Sequence, residues 1–314
     1  MAQIQVTHVS DPGCPFAYSA MPFITALQWR YGDQLRWRHV MIGLTEQAAQ
    51  YEERGYTPLR MSRGQRAFRR HGMPFGRQPK PRMAATARAC RAVVATRLIA
   101  PEHEWTVFRA LQFTQFTTPL PLDADAALRN ALLRVPAVDT ETVMGMLDSP
   151  EVTEAYEADR AEARTAEGGP TEFQGKAADT DGAVRFTAPT LIFEHEGRRL
   201  EAGGFQPLEA YDVCVANLDP TLDRRAAPES AADLLAAFPH GLTTREVATC
   251  LLEGTADPDD DTAEDLMLEL AATGHATAEP LGDGTLWTPW PQPGAAAPDR
   301  ATERRGHLHS VSLN

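Results

Sequence analysis

The sequence has little that would tie it to a membrane, a metal or an oxidising compartment. Its 314 residues include four cysteines, at positions 14, 90, 214 and 250, and their spacing matches no metal-binding pattern. No apolar run approaches the ~18 residues that a membrane span needs. Residues 1–30 lack the basic start and apolar core of a signal peptide. Few cysteines at irregular spacing suit a reducing compartment, so we expect a soluble cytoplasmic protein without a metal.

Acidic residues are missing from one long segment, and basic residues are scarce in another. Residues 54–97 hold twelve Arg and Lys residues and no Asp or Glu, although the whole chain has a net charge of −13. Residues 226–298 hold thirteen acidic residues and one basic residue, Arg245. The overall acidic balance argues against nucleic acid as a partner, whereas the basic segment suits small anions.

The most informative stretch runs from a predicted strand into a predicted helix. Residues 4–10 (IQVTHVS) read as a β-branched strand, residues 11–13 as a turn, and Cys14 stands directly before Pro15, where a helix begins. Proline tolerates the first helical position because its missing N–H would be unpaired there anyway. The free N–H groups and the helix dipole would favour a thiolate. We therefore expect Cys14 to be reactive, with a lowered pKa. The alternative is a cysteine that only fills space under the helix.

Several segments resemble the DsbA-like branch of the thioredoxin superfamily, which includes 2-hydroxychromene-2-carboxylate isomerases, kappa-class glutathione transferases and FrnE-type oxidoreductases. The segments are SDPGCPFAYS at 10–19, LRWRHV at 35–40, HGMPF at 71–75 and TAPTLIF at 187–193. The resemblance covers residues 3–220 in the expected order. It implies an α/β fold, a thioredoxin-like sheet with a large helical insertion. It also places Pro189 where this superfamily keeps a cis-proline facing the active sulfur.

This resemblance leads to a set of expected site residues. Cys14 and Pro189 would form the catalytic centre. The residues expected to contact a cofactor are Ser10, Pro15, Phe16, Arg69, Arg70, Met73, Pro74 and Ala188. The cofactor would be a low-molecular-weight thiol of the glutathione or mycothiol type.

The sequence departs from the redox-active members at one position. Those members carry Cys-x-x-Cys, but Ala17 stands where the second cysteine would be. A dithiol cycle needs a second thiol to release the mixed disulfide, so that cycle is excluded at this motif. One-thiol chemistry remains: a mixed disulfide with a small thiol, conjugation or isomerisation with a thiol cofactor, or peroxide sensing. Cys90 is the one candidate for a resolving cysteine elsewhere in the chain.

Residues 54–82 are rich in Gly, Pro and Arg and read as a loop. In one interpretation their arginines are a solvated face whose apolar stems cover the core. In the other they line a cleft opposite Cys14 and bind carboxylates or phosphates of a thiol cofactor or an anionic substrate, a task that suits the guanidinium fork.

The predicted organisation is a thioredoxin-like domain at 1–44 and 175–222 with a helical insertion at 45–174. A small C-terminal domain follows at 225–290, after a linker at 224–228, and the tail 291–314 reads as disordered. Three predicted helices and a hairpin around its Asp-Gly turn make the C-terminal domain resemble a winged helix. The third of these helices is acidic, which would repel DNA phosphates, so a docking or dimerisation role is expected instead.

Two functions from different classes fit these observations. In the first, the chain is a thiol-dependent oxidoreductase, transferase or isomerase acting through Cys14 on a small thiol or an anionic substrate. In the second, it is a non-catalytic adaptor that binds a protein partner, including through residues 225–290. A DsbA-like domain followed by a winged helix is similar to the adaptor family that delivers a transcription factor to the ClpXP protease in low-GC Gram-positive bacteria. Replacing Cys14 would abolish the first function and leave the second almost intact.

Overall fold

The structure is a computed structural model that describes residues 3–179, 182–252, 254 and 256–290, so the predicted disordered tail lies outside it. The strands are β1 (Ile4–Ser10), β2 (Leu35–Met41), β3 (Ala177–Ala178), β4 (Arg185–Phe186), β5 (Thr190–His195), β6 (Arg198–Gly203), β7 (Leu242–Thr243), β8 (Ala276–Leu281) and β9 (Gly284–Pro289). The helices are α1 (Pro15–Ser19), α2 (Met21–Tyr31), α3 (Ala49–Glu53), α4 (Pro58–Phe68), α5 (Ala87–Ile99), α6 (Glu104–Thr117), α7 (Asp125–Leu132), α8 (Thr140–Met146), α9 (Pro150–Ala163), α10 (Pro170–Phe173), α11 (Leu208–Leu218), α12 (Ala231–Ala237), α13 (Thr244–Cys250) and α14 (Asp260–Ala272).

A four-stranded sheet with the order β2-β1-β5-β6 lies at the centre of the molecule. β1 runs parallel to β2 and antiparallel to β5, which forms a hairpin with β6. Every residue of β1 except Gln5 is buried, as expected for a strand flanked by neighbours on both sides and covered by helices. The buried C-terminal end of β1 delivers the chain directly to Cys14.

The first predicted helix is split in two. α1 ends at Ser19 and α2 begins at Met21, with Ala20 between them. The cause is Pro22, which has no N–H to donate to the carbonyl four residues earlier, so the helix breaks there. The helix that begins beside Cys14 is therefore only five residues long.

Helices dominate residues 45–174, as the sequence predicts. The expectation of a loop over 54–82 is wrong in its first half, because α4 occupies Pro58–Phe68. Its start has a local signal that the loop interpretation missed: Pro58 takes the first turn, and the Thr57 side chain accepts a hydrogen bond from the N–H of Arg60. None of the described helices is long and apolar enough to cross a bilayer.

The C-terminal unit consists of α12, α13 and α14 with an antiparallel sheet in the order β7-β9-β8. α12 and α13 each begin with a reciprocal capping box, Ser230 with Asp233 and Thr243 with Glu246. The expected hairpin is present as β8 and β9. The assignment of this unit as a winged helix stays a prediction.

The C-terminal unit is packed tightly on the rest of the chain. Glu246 of α13 is fully buried and paired with Arg109 of α6, which is itself 2% exposed. Glu246 also accepts a hydrogen bond from Thr25 of α2 at 3.0 Å. The expected linker is held in place as well, since the N–H of Arg225 donates to the carbonyl of Arg30 at 2.8 Å. The unit therefore shares one hydrophobic core with the central sheet and its helices.

The electrostatics of Glu246 depend on these partners. Burial alone would raise the pKa of its carboxyl group, but Arg109 and the hydrogen bonds from Thr243 and Thr25 hold that pKa below its usual value. The pair thus stabilises the fold above the pKa that Glu246 has in the unfolded chain. That contribution is lost as the pH falls through the lowered pKa of the folded state.

Arg109→Met should lower the free energy of unfolding by about 3–5 kcal/mol, because it leaves the buried Glu246 carboxylate without its counter-ion. Urea unfolding measures the effect. Arg129→Met is the matched control: Arg129 pairs with Glu141 at the surface, where the two side chains are 40% and 74% exposed, and its loss should cost under about 1 kcal/mol. Equal effects of the two substitutions would show that the buried pair does not hold the units together.

Candidate active site around Cys14

Cys14 occupies the N-cap position of α1. Its N–H donates to the carbonyl of Asp11 at 3.1 Å, which closes the turn after β1. Its Sγ lies 3.1 Å from the carbonyl oxygen of Ala188, to which the thiol donates a hydrogen bond. The peptide bond between Ala188 and Pro189 is cis. The structure thus brings together the sulfur and the Ala188–Pro189 loop, although the two are 174 residues apart in sequence.

The prediction of a lowered pKa for Cys14 is wrong. Burial raises the pKa of this thiol to about 12, because the side chain is only 6% exposed within a small apolar cluster. The N–H groups of Ala17 and Phe16 do favour the thiolate, as does Arg185, but they are outweighed by burial and by the negative charge of Asp11. In this structure Cys14 is therefore a protonated thiol at neutral pH.

Asp11 is a central residue that the sequence interpretation treated only as part of a turn. It is fully buried. Oδ1 accepts the N–H of Gly13 at 2.7 Å, and Oδ2 accepts the N–H of Leu44 at 2.8 Å and the hydroxyl of Thr86 at 2.7 Å. Burial raises the pKa of Asp11 against the opposing effect of these hydrogen bonds. An aspartate before Pro-Gly can form such a turn, but nothing local in the sequence indicates Thr86.

Cys90 is also attached to Asp11, since its thiol donates to Oδ2 at 3.4 Å. It is fully buried, and burial together with the Asp11 charge raises its pKa. All four cysteines are free, and the thiols of Cys14 and Cys90 bond to different partners. A resolving role for Cys90 stays a prediction that this arrangement does not favour.

An aromatic cluster surrounds Phe16, two residues after Cys14. Phe16 is 47% exposed, and its ring lies 4.8 Å from that of Phe68 at the end of α4 and 6.5 Å from that of Phe205. His71 packs against Phe205 at 4.7 Å. Pro15 is half-buried at the start of α1. These rings form an apolar surface around Phe16. The expected contact of Phe16 with a cofactor stays a prediction.

Three other residues that the sequence predicts to contact a cofactor, Met73, Pro74 and Ser10, are buried. Met73 is buried, and its Sδ accepts a hydrogen bond from the hydroxyl of Thr243 at 3.4 Å. Pro74 is buried against the β8–β9 turn, and its carbonyl accepts the Tyr18 hydroxyl at 2.8 Å. Ser10, the last residue of β1, is buried, and its Oγ has no hydrogen-bond partner within the described residues.

Arg69 and Arg70 differ in how they are placed. Arg69 pairs with Asp283 of the β8–β9 turn at 3.2 Å, whereas Arg70 is exposed and its Nε lies 3.4 Å from a ring nitrogen of His71. The same Asp283 accepts the N–H of Phe75 at 2.7 Å. The HGMPF segment therefore serves mainly as a contact with the C-terminal unit, and its role in binding a cofactor stays a prediction.

Several arginines of the basic segment have their acidic partners elsewhere in the chain. Arg82 pairs with Asp123, Arg88 with Asp125, and Arg97 with both Glu104 and Asp159. The absence of acids within 54–97 had suggested unpaired cations. Tertiary contacts supply carboxylates for these arginines. The proposal that other arginines of this segment bind an anion opposite Cys14 stays a prediction.

Comparisons with known proteins support the fold. A structure described as a candidate protein disulfide isomerase from Nitrosomonas europaea superposes with a TM-score of 0.53 and 18% identity, over 68% of this chain and 97% of that one. A structure assigned as a DsbA oxidoreductase from Streptomyces coelicolor superposes with a TM-score of 0.52 and 15% identity, over 73% and 95%. No protein-family model matches the sequence, and no curated protein matches it.

These superpositions confirm the predicted fold class: the chain is an α/β protein with a DsbA-like thioredoxin fold and a helical insertion. Identities below one fifth show the fold and nothing more about activity. Both matched structures are covered almost completely, yet between about a quarter and a third of this chain has no counterpart in them.

The rate of alkylation of Cys14 should be low at neutral pH and should not reach a plateau as the pH is raised to 10. With a pKa of about 12, its rate of reaction with iodoacetamide should rise about tenfold per pH unit from pH 7 to pH 10, whereas a free cysteine with a pKa near ~8.5 levels off. Peptide mass spectrometry separates Cys14 from the other cysteines, and the unfolded chain is the control. A plateau below pH 8 would contradict the buried environment described above.

Asp283→Ala should lower the free energy of unfolding by about 2 kcal/mol, because the buried N–H of Phe75 and the Arg69 guanidinium both lose their acceptor. Asp283→Asn keeps one acceptor oxygen and should lose less. Glu264→Ala, on the exposed face of α14, is the matched control and should be close to neutral. Thermal unfolding of the three variants measures these changes in stability. Equal stabilities would show that the contacts of Asp283 with Phe75 and Arg69 do not stabilise the fold.

Proposed function

We propose that this chain is a thiol-dependent enzyme in which Cys14 exchanges disulfides with a low-molecular-weight thiol of the glutathione or mycothiol type. The observation that carries the proposal is the position of Cys14 Sγ. Cys14 occupies the N-cap position of α1, its Sγ lies 3.1 Å from the carbonyl of Ala188 beside the cis Pro189 bond, and the exposed Phe16 follows two residues later. An extended thiol compound can bind along that loop through the backbone and against the ring.

Ala17 determines the type of exchange. A mixed disulfide R–S–S–G, where G is the small thiol, is attacked by the Cys14 sulfur, which forms Cys14–S–S–G. The S–S bond of R–S–S–G breaks, and the R thiolate leaves as R–SH after it takes the proton that Cys14 gives up. A second G thiol then attacks the sulfur of bound G, forming G–S–S–G and restoring the Cys14 thiol. The small thiol is thus both the reductant and the substitute for the missing second cysteine.

The raised pKa of Cys14 places a requirement on this reaction. The thiolate is the nucleophile, so substrate binding must break the hydrogen bond to Ala188 and bring Arg185 or the N–H groups of Phe16 and Ala17 to bear on the sulfur. A resting thiol that is activated only on binding would also resist oxidation. The enzyme is expected in the cytoplasm.

The test is reduction of a glutathione-mixed disulfide of a model peptide, with glutathione or mycothiol as the reductant. Mass spectrometry should detect a Cys14 adduct with one of the two thiols. Cys14→Ser should abolish both adduct and turnover, whereas Cys214→Ser, at a half-exposed cysteine, should leave both unchanged. Turnover that survives Cys14→Ser, or the lack of any adduct with either thiol, would overturn the proposal.

A second candidate is the non-catalytic adaptor, and two observations favour it. A thiol with a pKa of about 12 is poorly suited to attack at neutral pH. In the C-terminal unit, Leu268 is 50% exposed among the acidic residues of α14, and Trp290 is 51% exposed. Such apolar side chains within an acidic surface would suit a basic protein partner or a second copy of the chain. An inert Cys14 with partner binding that survives Cys14→Ser would establish this reading.

A further inference from the structure

A pocket lies between α4 and the segment that follows it, on the flank of the Cys14 turn. One wall of the pocket is formed by α4, through Met61, Ser62 and Gln65. The opposite wall includes Gln78, Lys80, Arg82 and Gln115. Gly13, the residue directly before Cys14, also lines the pocket. Neither Cys14 nor Pro189 is among the described lining residues. The pocket is therefore separate from the Sγ–Ala188 face at which the exchange chemistry is proposed.

One buried polar atom in this pocket lacks a partner: Oε1 of Gln115 makes no hydrogen bond within the described part of the chain. The amides of Gln65 and Gln78 and the hydroxyl of Ser62 also line the pocket, and Gln78 is exposed. Buried polar atoms nearly always have partners. An acceptor such as Oε1 of Gln115 requires an N–H or O–H donor, while the amide NH2 groups require carbonyl or carboxylate oxygens. A molecule that carries amide groups offers both.

Lys80 gives the pocket its charge. It donates to the carbonyl of Thr118 at 3.2 Å and to that of Leu120, which leaves one of its three N–H groups. Burial lowers its pKa to about 8, and Asp123 acts in the opposite direction. The other cation, Arg82, is already paired with Asp123. No carboxylate is among the described lining residues, so a ligand carboxylate is the natural partner of the remaining Lys80 N–H.

We infer that this pocket is a second binding site, which takes the amide and carboxylate groups of a small peptide-like molecule. The inference rests on the proposed function and deepens it: the substrate thiol R would be a short peptide or an acylated amino acid, anchored by Lys80 and the glutamine amides. From there it would extend past Gly13 to Cys14, whose Cα is ~3.8 Å further along the chain.

Access to the site depends on α4. The cavity volume is about 40 Å³, which is too small for a peptide-like molecule. A peptide-like ligand therefore needs α4 to move outward. No residue from 46 to 72 is fully buried, and segments with few buried contacts open at low cost in free energy. Phe68 at the end of α4 contacts Phe16, so the same movement would uncover the solvent side of Cys14.

The test uses N-acetyl-glycylglycine, which has two amides and a carboxylate but no sulfur, and therefore cannot react with Cys14. Binding is measured by calorimetry and by the increase in Tm. The probe should bind the wild type and Cys14→Ser alike, and at least tenfold more weakly to Lys80→Met. Its C-terminal amide should bind more weakly than the free acid. Equal affinity for the wild type and Lys80→Met, or no binding at millimolar probe, would overturn the inference.

The chain offers a close control, because Lys80 and Lys176 are its only two lysines. Lys176 is exposed, and Lys176→Met should leave probe binding unchanged. In the wild type the probe should protect Lys80, and not Lys176, from acetylation at pH 8. If Lys80→Met fails to fold without its bonds to Thr118 and Leu120, Gln115→Leu replaces it. That variant should weaken binding several-fold, and unchanged affinity would again overturn the inference.

These results separate the two proposals. Probe binding that depends on Lys80, in a protein that shows no thiol exchange, would sustain the pocket and overturn the exchange function. Exchange that depends on Cys14, in a protein whose probe binding ignores Lys80, would do the reverse.

Discussion

The buried carboxylate of Asp11 is the constraint on which the rest of the site depends. A buried acid is costly unless its oxygens are bonded, and here they hold the N–H groups of Gly13 and Leu44, the hydroxyl of Thr86 and the thiol of Cys90. Those groups belong to the turn after β1, the loop after β2 and the start of α5. One side chain therefore fixes the Cys14 turn between the sheet and the helical insertion, and its negative charge disfavours the Cys14 thiolate.

The turn that Asp11 fixes presents two different faces. On one, Cys14 Sγ meets the Ala188 carbonyl in an apolar environment that keeps the thiol protonated. On the other, Gly13 lines a polar pocket of which α4 forms one wall. Gly13 itself leaves no room for a side chain, since an added Cβ would lie 2.4 Å from the Thr86 side chain. The proposed exchange at Cys14 and the proposed second binding site therefore lie on the two sides of one turn.

The C-terminal unit is a structural part of the active-site domain rather than a separate attachment. Glu246 ties α13 to α2 and α6, and Asp283 ties the β8–β9 turn to the backbone of Phe75. Through Pro74 this contact reaches Tyr18, four residues after Cys14. A partner that binds the exposed face of α14 would therefore act on a unit that is continuous with the helix that Cys14 precedes. The adaptor and enzyme readings thus concern one connected body.

Local sequence determined which elements form and where the sulfur lies. Several signals act within a few residues: the β-branched run of β1, the Pro-Gly turn, Pro15 after Cys14, and the capping residues Ser230 and Thr243. Their effects can therefore be read from the sequence alone. Tertiary structure decided the electrostatics. The pKa of Cys14 follows from burial by distant segments, the arginines of 54–97 find their carboxylates beyond that segment, and the HGMPF segment meets Asp283 some 200 residues later. Burial and charge pairing are set by long-range packing, which no local pattern encodes.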